Sequence, residues 1–144
     1  MINEAIERRN LVIHNNGTIN RKYLRNVDVS IIPENRKQIK EGEKLNISKG
    51  YFERVHDELL IAGIVLTHTC WRKWEKNKNE DADDNLIAIV EELAQKRKYM
   101  VLERIGTFCK RIKAYNDENK YIFEIKYCEG LKGLGRKNEL QEEL

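Results

Sequence analysis

The amino-acid sequence reads as an all-α protein, on three observations. Its 144 residues hold a single proline and eight glycines, so few positions break a helix. Apolar side chains recur at three- and four-residue steps through most of the length, which is helix period rather than strand alternation. Short polar clusters separate the periodic stretches and supply turns. A chain of this size buries roughly 70% of its unfolded surface, enough to fold without disulfide staples.

The first helix is expected over residues 3–14, where Ala5, Ile6, Arg9, Asn10, Ile13 and His14 follow helical spacing. Asn15-Asn16-Gly17 ends it with residues that accept the left-handed conformation of a helix end. Thr18-Ile19-Asn20 restarts the chain into a short helix over 21–26. Residues 27–47 read as a connecting loop: Pro33 and Gly42 interrupt it, and the apolar Val27, Val29, Ile31 and Ile32 set no clean period. Ser48 then caps the strongest helix, over 49–76. Its stripe Phe52, Val55, Leu59, Ala62, Leu66, Cys70 and Trp74 is widened by Tyr51, Leu60, Ile64 and Trp71. A helix so broadly apolar is expected to be buried on more than one side, in a bundle or a dimer.

The polar stretch 77–84 places the domain boundary, giving regions 1–77 and 78–144. Asp83 or Asp84 is expected to cap a helix over 85–96 that turns Leu86, Ile87, Ile89, Val90, Leu93 and Ala94 inward. Helices over 99–114 and 120–134 follow, joined at Asn116-Asp117-Glu118-Asn119. Gly133-Leu134-Gly135 stops the second, and residues 136–144 begin a last short helix. Helices of this length joined by tight turns form αα-hairpins.

Composition excludes several functions. The net charge of +3 does not by itself imply a polyanion partner. Residues 96–113, however, carry seven Lys/Arg against one acid, Glu103. Lys96, Arg97, Lys98, Lys110 and Arg111 therefore form either a solvated helix face or a nucleic-acid-binding patch. Cys70, Cys109 and Cys128 are odd in number and widely spaced, as expected of reduced thiols in a cytoplasmic protein. The longest apolar run, Leu59–Leu66, falls far below the ~20 residues that span a bilayer, and no secretory leader is expected. His56 and His68 lack ligand-type neighbours, so neither a metal nor another cofactor is expected. Trp71 and Trp74, three apart on an apolar helix, read as core rather than as base-stacking platforms.

The constellation with chemical content lies in the first helix. Asn10 and His14, four apart, share a face; Arg9 sits about 140° round from His14, with a side chain long enough to swing toward the same groove. A histidine titrates near neutrality and can transfer protons, and a guanidinium grips phosphate. Arg8 is a further candidate phosphate contact, and its spacing from Glu4 equally makes a surface salt bridge.

The run Glu7-Arg8-Arg9-Asn10-Leu11-Val12-Ile13-His14-Asn15-Asn16-Gly17, continued by Asn20, Tyr23 and Leu24, resembles the signature of the HEPN family (higher eukaryote and prokaryote nucleotide-binding domains). Residues 40–48 followed by the long helix are similar too, so the resemblance covers about residues 4–76. It implies a dimeric antiparallel helical bundle in which Arg9, Asn10 and His14 of two copies face each other and cleave RNA without a metal. His14 would then move a proton at the 2′-hydroxyl or leaving oxygen, Arg9 would stabilise phosphoryl charge, and Asn10 would orient either partner. In that family helices precede the motif, so the bundle is expected to be shortened at the N-terminus. Residues 85–144 resemble tetratricopeptide-like hairpins, about one and a half units, which implies a protein-binding appendage. The expected function is that of an RNA-directed, metal-independent endoribonuclease; the alternative is a non-catalytic helical module for dimerisation or protein interaction.

Overall fold

A computed structural model describes residues 2–28 and 39–143. Its elements are α1 (Ile2–Asn15), α2 (Arg21–Asn26), α3 (Lys49–Trp74), α4 (Asn79–Gln95), α5 (Tyr99–Cys109), α6 (Asp117–Gly133) and α7 (Lys137–Glu143), with a 3-10 turn at Lys76–Lys78. The protein is all-helical among the described residues, as the periodicity requires. Two compact units divide the chain, residues 1–59 and 60–144. The boundary therefore falls within α3 rather than at 77/78. The reason is local: Ile61 and Ile64 in the second half of α3 are core residues of the second unit.

In the first unit, the cap residues behave as their chemistry suggests. Asn20 accepts a hydrogen bond from the Tyr23 amide at 2.9 Å and starts α2. The Ser48 hydroxyl accepts one from the Tyr51 amide at 3.1 Å and starts α3. Asn16 and Gly17 both take positive φ after α1, where the Gly17 amide closes onto the Leu11 carbonyl at 2.9 Å. The chain then returns alongside itself: Ile19 and Leu45 amides donate to the Glu43 and Gly17 carbonyls, each at 2.9 Å. That contact holds Ile19 against Leu11, Tyr23 and Val27, with Leu24, Ile39 and Leu45 around them. Val29, Ile31, Ile32 and Pro33 lie outside the described residues.

The second unit packs α4, α5 and α6 with the C-terminal part of α3 around Leu86, Val90, Val101, Leu102, Ile105 and Phe123. Each such side chain contributes about 1.5–3 kcal/mol when fully buried. α5 and α6 approach closely because three glycines, Gly106, Gly130 and Gly133, face the partner helix. A Cβ on Gly106 would stand 2.8 Å from Tyr127 Cβ, and one on Gly130 would stand 2.9 Å from the Glu103 amide nitrogen. Gly130 is therefore a packing residue within α6; the helix ends at Gly133, and Gly135, with a φ of 72°, closes the turn that follows.

Several expected boundaries shift. α4 begins at Asn79, and Asp83 is not its cap but a fully buried member of it. The Asp83 carboxylate accepts from Arg72, from the Tyr115 amide at 2.7 Å and from Asn119 Nδ2 at 3.2 Å. Three polar partners satisfy it, which offsets the cost of burying a charge. α5 stops at Cys109, five residues early, and α6 starts at Asp117, where the Asn116 side chain accepts from the Asn119 amide at 2.8 Å.

The face of α3 that packs is also not the expected one. Ile61, Ile64 and His68 are buried, whereas Phe52, Leu59, Leu66 and Trp74 are exposed. α3 has two apolar faces, and periodicity alone does not rank them. The three cysteines are free, with Cys109 buried and Cys70 and Cys128 partly so. Burial pushes the Cys109 thiol up to about 12. No helix among the described residues is long and apolar enough to cross a membrane.

Candidate functional site

α1 carries three faces of different character, set by its 100° step. The first turns Glu4, Arg8 and Leu11 into the unit. Glu4 is 1% exposed and accepts three hydrogen bonds: from Arg8 Nε at 2.6 Å, Tyr23 Oη at 2.7 Å and Tyr51 Oη at 2.8 Å. Arg8 also donates from Nη1 to the Asn46 carbonyl at 2.9 Å, and its guanidinium lies 3.8 Å from the centre of the Tyr51 ring. Burial first, and the Glu4 carboxylate second, hold both tyrosine hydroxyls well above the usual phenol range. The network joins α1, α2 and α3 of the first unit through one carboxylate.

Arg8 is therefore not a surface cation. The i,i+4 pair with Glu4 forms as its spacing requires, but buried, because Tyr23 and Tyr51 close over it. With its guanidinium enclosed, Arg8 is in no position to meet a phosphate backbone. Periodicity places Tyr51 on an apolar stripe; it does not reveal that two distant phenols converge on one acid.

The second face holds Asn10 and His14. They line a cleft of about 410 Å³, together with Glu7, Asn15, Asn20 and Lys22. His14 is exposed and lies in the last turn of α1. Asn26 Nδ2 donates to Glu7 at 2.9 Å and ties α2 to this rim. Lys22 adds a cation that the sequence did not single out. Its only signal was its place on the helix that follows the Asn-Asn-Gly turn.

The third face carries Arg9 among exposed isoleucines. Ile6 and Ile13 are 53% and 54% exposed, and Ile2 lies on the same line. Arg9 borders a separate apolar groove of about 240 Å³ with Val12, Ile13, Ile47, Phe52 and Val55. Within one chain, Arg9 and His14 thus open onto different concavities. Asn10 links them: its Oδ1 accepts from Arg9 Nη1 at 3.4 Å while the residue itself lines the His14 cleft.

The basic run of the second unit is divided. Lys96, Arg97 and Lys98 stand at the turn before α5, and Lys110 and Arg111 at its far end, about 16 Å away along an eleven-residue helix. Lys96 pairs with Glu92, and Lys110 pairs with Glu143 at 2.5 Å and lies 4.7 Å from the Tyr127 ring centre. Lys98 has a partner of its own. Arg97 adopts a positive φ of 54° to close α4. These residues are thus two helix-end clusters rather than one continuous patch.

His68 is 1% exposed and stacks on Trp71 at 5.9 Å between ring centres. Burial, then the charge of Arg72, lowers its pKa. Among the described residues no group of three His, Cys, Asp or Glu is placed to hold a metal ion. Comparison of the chain with family models, curated proteins and solved structures gives no match.

Proposed function

We propose that the chain is a HEPN-like, RNA-directed protein: a homodimeric, metal-independent endoribonuclease whose site combines Arg9 of one copy with Asn10 and His14 of the other. The observation that carries this reading is the division of α1. A cleft lined by Asn10, His14 and Lys22 lies on one side, and Arg9 stands in an exposed isoleucine stripe on another. Exposed isoleucines around a cation suit a face covered by a second copy. Covering that face sends Arg9 toward the partner, which resolves its separation from His14 within one chain.

In this reading the attacking 2′-hydroxyl and the leaving 5′-oxygen bracket the phosphate in the cleft. His14 accepts or donates a proton at one of these oxygens. Arg9 forks onto the non-bridging phosphate oxygens as their charge grows. The Asn10 on Arg9's own copy fixes that guanidinium through the contact already present at 3.4 Å, and the Asn10 beside His14 lines the phosphate cleft. Lys22 adds a phosphate contact at the rim. The tetratricopeptide-like second unit serves as a surface for a protein partner, and the free thiols suit a cytoplasmic setting.

A second reading has its own support. The 140° between Arg9 and His14, and the apolar character of the Arg9 face, equally suit a non-catalytic dimerisation module. Cleavage of single-stranded RNA in EDTA separates the two. The enzyme reading expects activity that His14→Ala and Arg9→Ala each lower by at least about a hundredfold, with helicity unchanged. Cleavage that survives His14→Ala refutes it.

A further inference from the structure

The cleft on the second face of α1 contains a second group able to move a proton. Glu7, Asn10 and His14 stand at positions i, i+3 and i+7, so one helix face presents all three. Glu7 is half-buried, and Asn26 Nδ2 donates to its Oε1 at 2.9 Å. The Asn26 carbonyl in turn accepts from Asn3 Nδ2 at 3.1 Å. One carboxylate oxygen is therefore held in place, and the other is left to the cleft. Among the lining side chains, only Glu7 carries a carboxylate and only His14 an imidazole. The amides of Asn10, Asn15 and Asn20 do not transfer protons, and the Lys22 ammonium has no acceptor atom.

Cleaving RNA without a metal takes two proton transfers. The 2′-oxygen loses a proton as it attacks phosphorus, and the 5′-oxygen gains one as it leaves from the opposite side. An ionised carboxylate can only accept, whereas an imidazolium can give. Glu7 and His14 lie two helix turns apart, about 10 Å along the axis of α1. Two hydrogen bonds with an in-line phosphorus between them span about 9 Å. The spacing thus suits a base at one end of the cleft and an acid at the other. Lys22 on the rim, with Arg9 from the second copy, offsets the repulsion between carboxylate and phosphate.

We propose that Glu7 is the general base and His14 the general acid of RNA cleavage in this cleft. The Glu7 carboxylate takes the 2′-hydroxyl proton as the 2′-oxygen bonds to phosphorus. The P–O5′ bond breaks with its electron pair on oxygen, and the His14 imidazolium protonates that oxygen. The products are a 2′,3′-cyclic phosphate and a 5′-hydroxyl. Glu7 is left protonated and His14 neutral, and proton exchange with water restores both. This assignment rests on the RNA-cleavage reading and sharpens it from one proton-transfer group to two.

The test is cleavage of single-stranded RNA in EDTA by the full-length chain, followed at one bond that the wild type cuts. That bond is made with either oxygen or sulfur at its bridging 5′ position. A thiolate leaves without a proton, so sulfur removes the need for an acid but not for a base. Glu7→Gln keeps the acceptor for Asn26 and removes the base. It is expected to cut at least about a hundredfold more slowly than wild type with either atom, at unchanged far-UV dichroism. His14→Ala is expected to be as slow with oxygen and to return to within about tenfold of wild type with sulfur. A Glu7→Gln chain that cuts like wild type, or that sulfur rescues, overturns the assignment and leaves the cleavage reading standing. So does a His14→Ala chain that is slow with oxygen and that sulfur does not rescue. A wild type that cuts no bond overturns both.

Discussion

Replacing Glu4 by Gln keeps the shape of the side chain and removes the one negative charge in the α1 network. Arg8 then sits 2% exposed with no carboxylate beside it, and Tyr23 and Tyr51 lose a charged acceptor. Breaking a buried ion pair by removing one partner costs about 3–5 kcal/mol. Two phenol bonds to a charged acceptor stand within that figure, since each is worth about 1.5–3 kcal/mol when the acceptor is ionised. The expected loss is therefore about 3 kcal/mol or more in the first unit, which holds no tryptophan. Amide hydrogen exchange along α1 and α2 reads this change directly, as protection falling by about two orders of magnitude. A double variant, Glu4→Leu with Arg8→Met, removes both charges and should recover much of the loss. A Glu4→Gln change under about 1 kcal/mol is the size expected of a solvated surface pair, and would refute the network as the tie between α1, α2 and α3.

Other outcomes follow from the same structure. Gly130→Ala forces α6 away from the Glu103 backbone and should lower second-unit stability by about 1–3 kcal/mol, seen as a lower urea midpoint by tryptophan fluorescence. Arg97→Gly relieves a positive φ of 54° and should raise stability by about 0.5–1 kcal/mol in the same assay. pH acts at both ends of its range. Tyr23 and Tyr51 are raised above their ordinary value of 10.0, so the folded state holds protons that the unfolded chain releases; stability is full below that pH and falls as pH rises beyond it. His68 is lowered below 6.5, so its contribution is full above that value and is lost as pH falls. Melting curves across pH check both, and His68→Gln should flatten the acid limb alone.

Local chemistry made much of the fold legible. Asn20 and Ser48 mark helix starts because each offers a side-chain oxygen to an orphan amide; Asn116 does the same for α6, although the sequence reads it as part of a turn before a helix at 120. Asn16 and Gly17 mark a helix end because they tolerate positive φ. What depends on distant segments was not legible. Asp83 reads as a cap until Arg72, Tyr115 and Asn119 are seen to surround it. Glu4 and Arg8 read as a surface pair until Tyr23 and Tyr51 enclose them. Phe52 and Trp74 read as core because α3 is apolar on two faces, and only packing decides which one the chain buries. At the site, the sequence gives the spacing of Arg9 and His14 but not their segregation into two concavities, which depends on what Ile47, Phe52, Asn20 and Lys22 add to each side of α1.

The central claim is that the site forms between copies, with Arg9 from one and His14 from the other. Mixing Arg9→Ala chains with His14→Ala chains after joint unfolding and refolding tests it most directly. Each variant alone is expected to be inactive. Half of the mixed population is heterodimer, and each heterodimer rebuilds one of its two sites, so cleavage should return to about a quarter of wild type. Two inactive variants that stay inactive when mixed, although shown to exchange subunits, would contradict a site shared between chains.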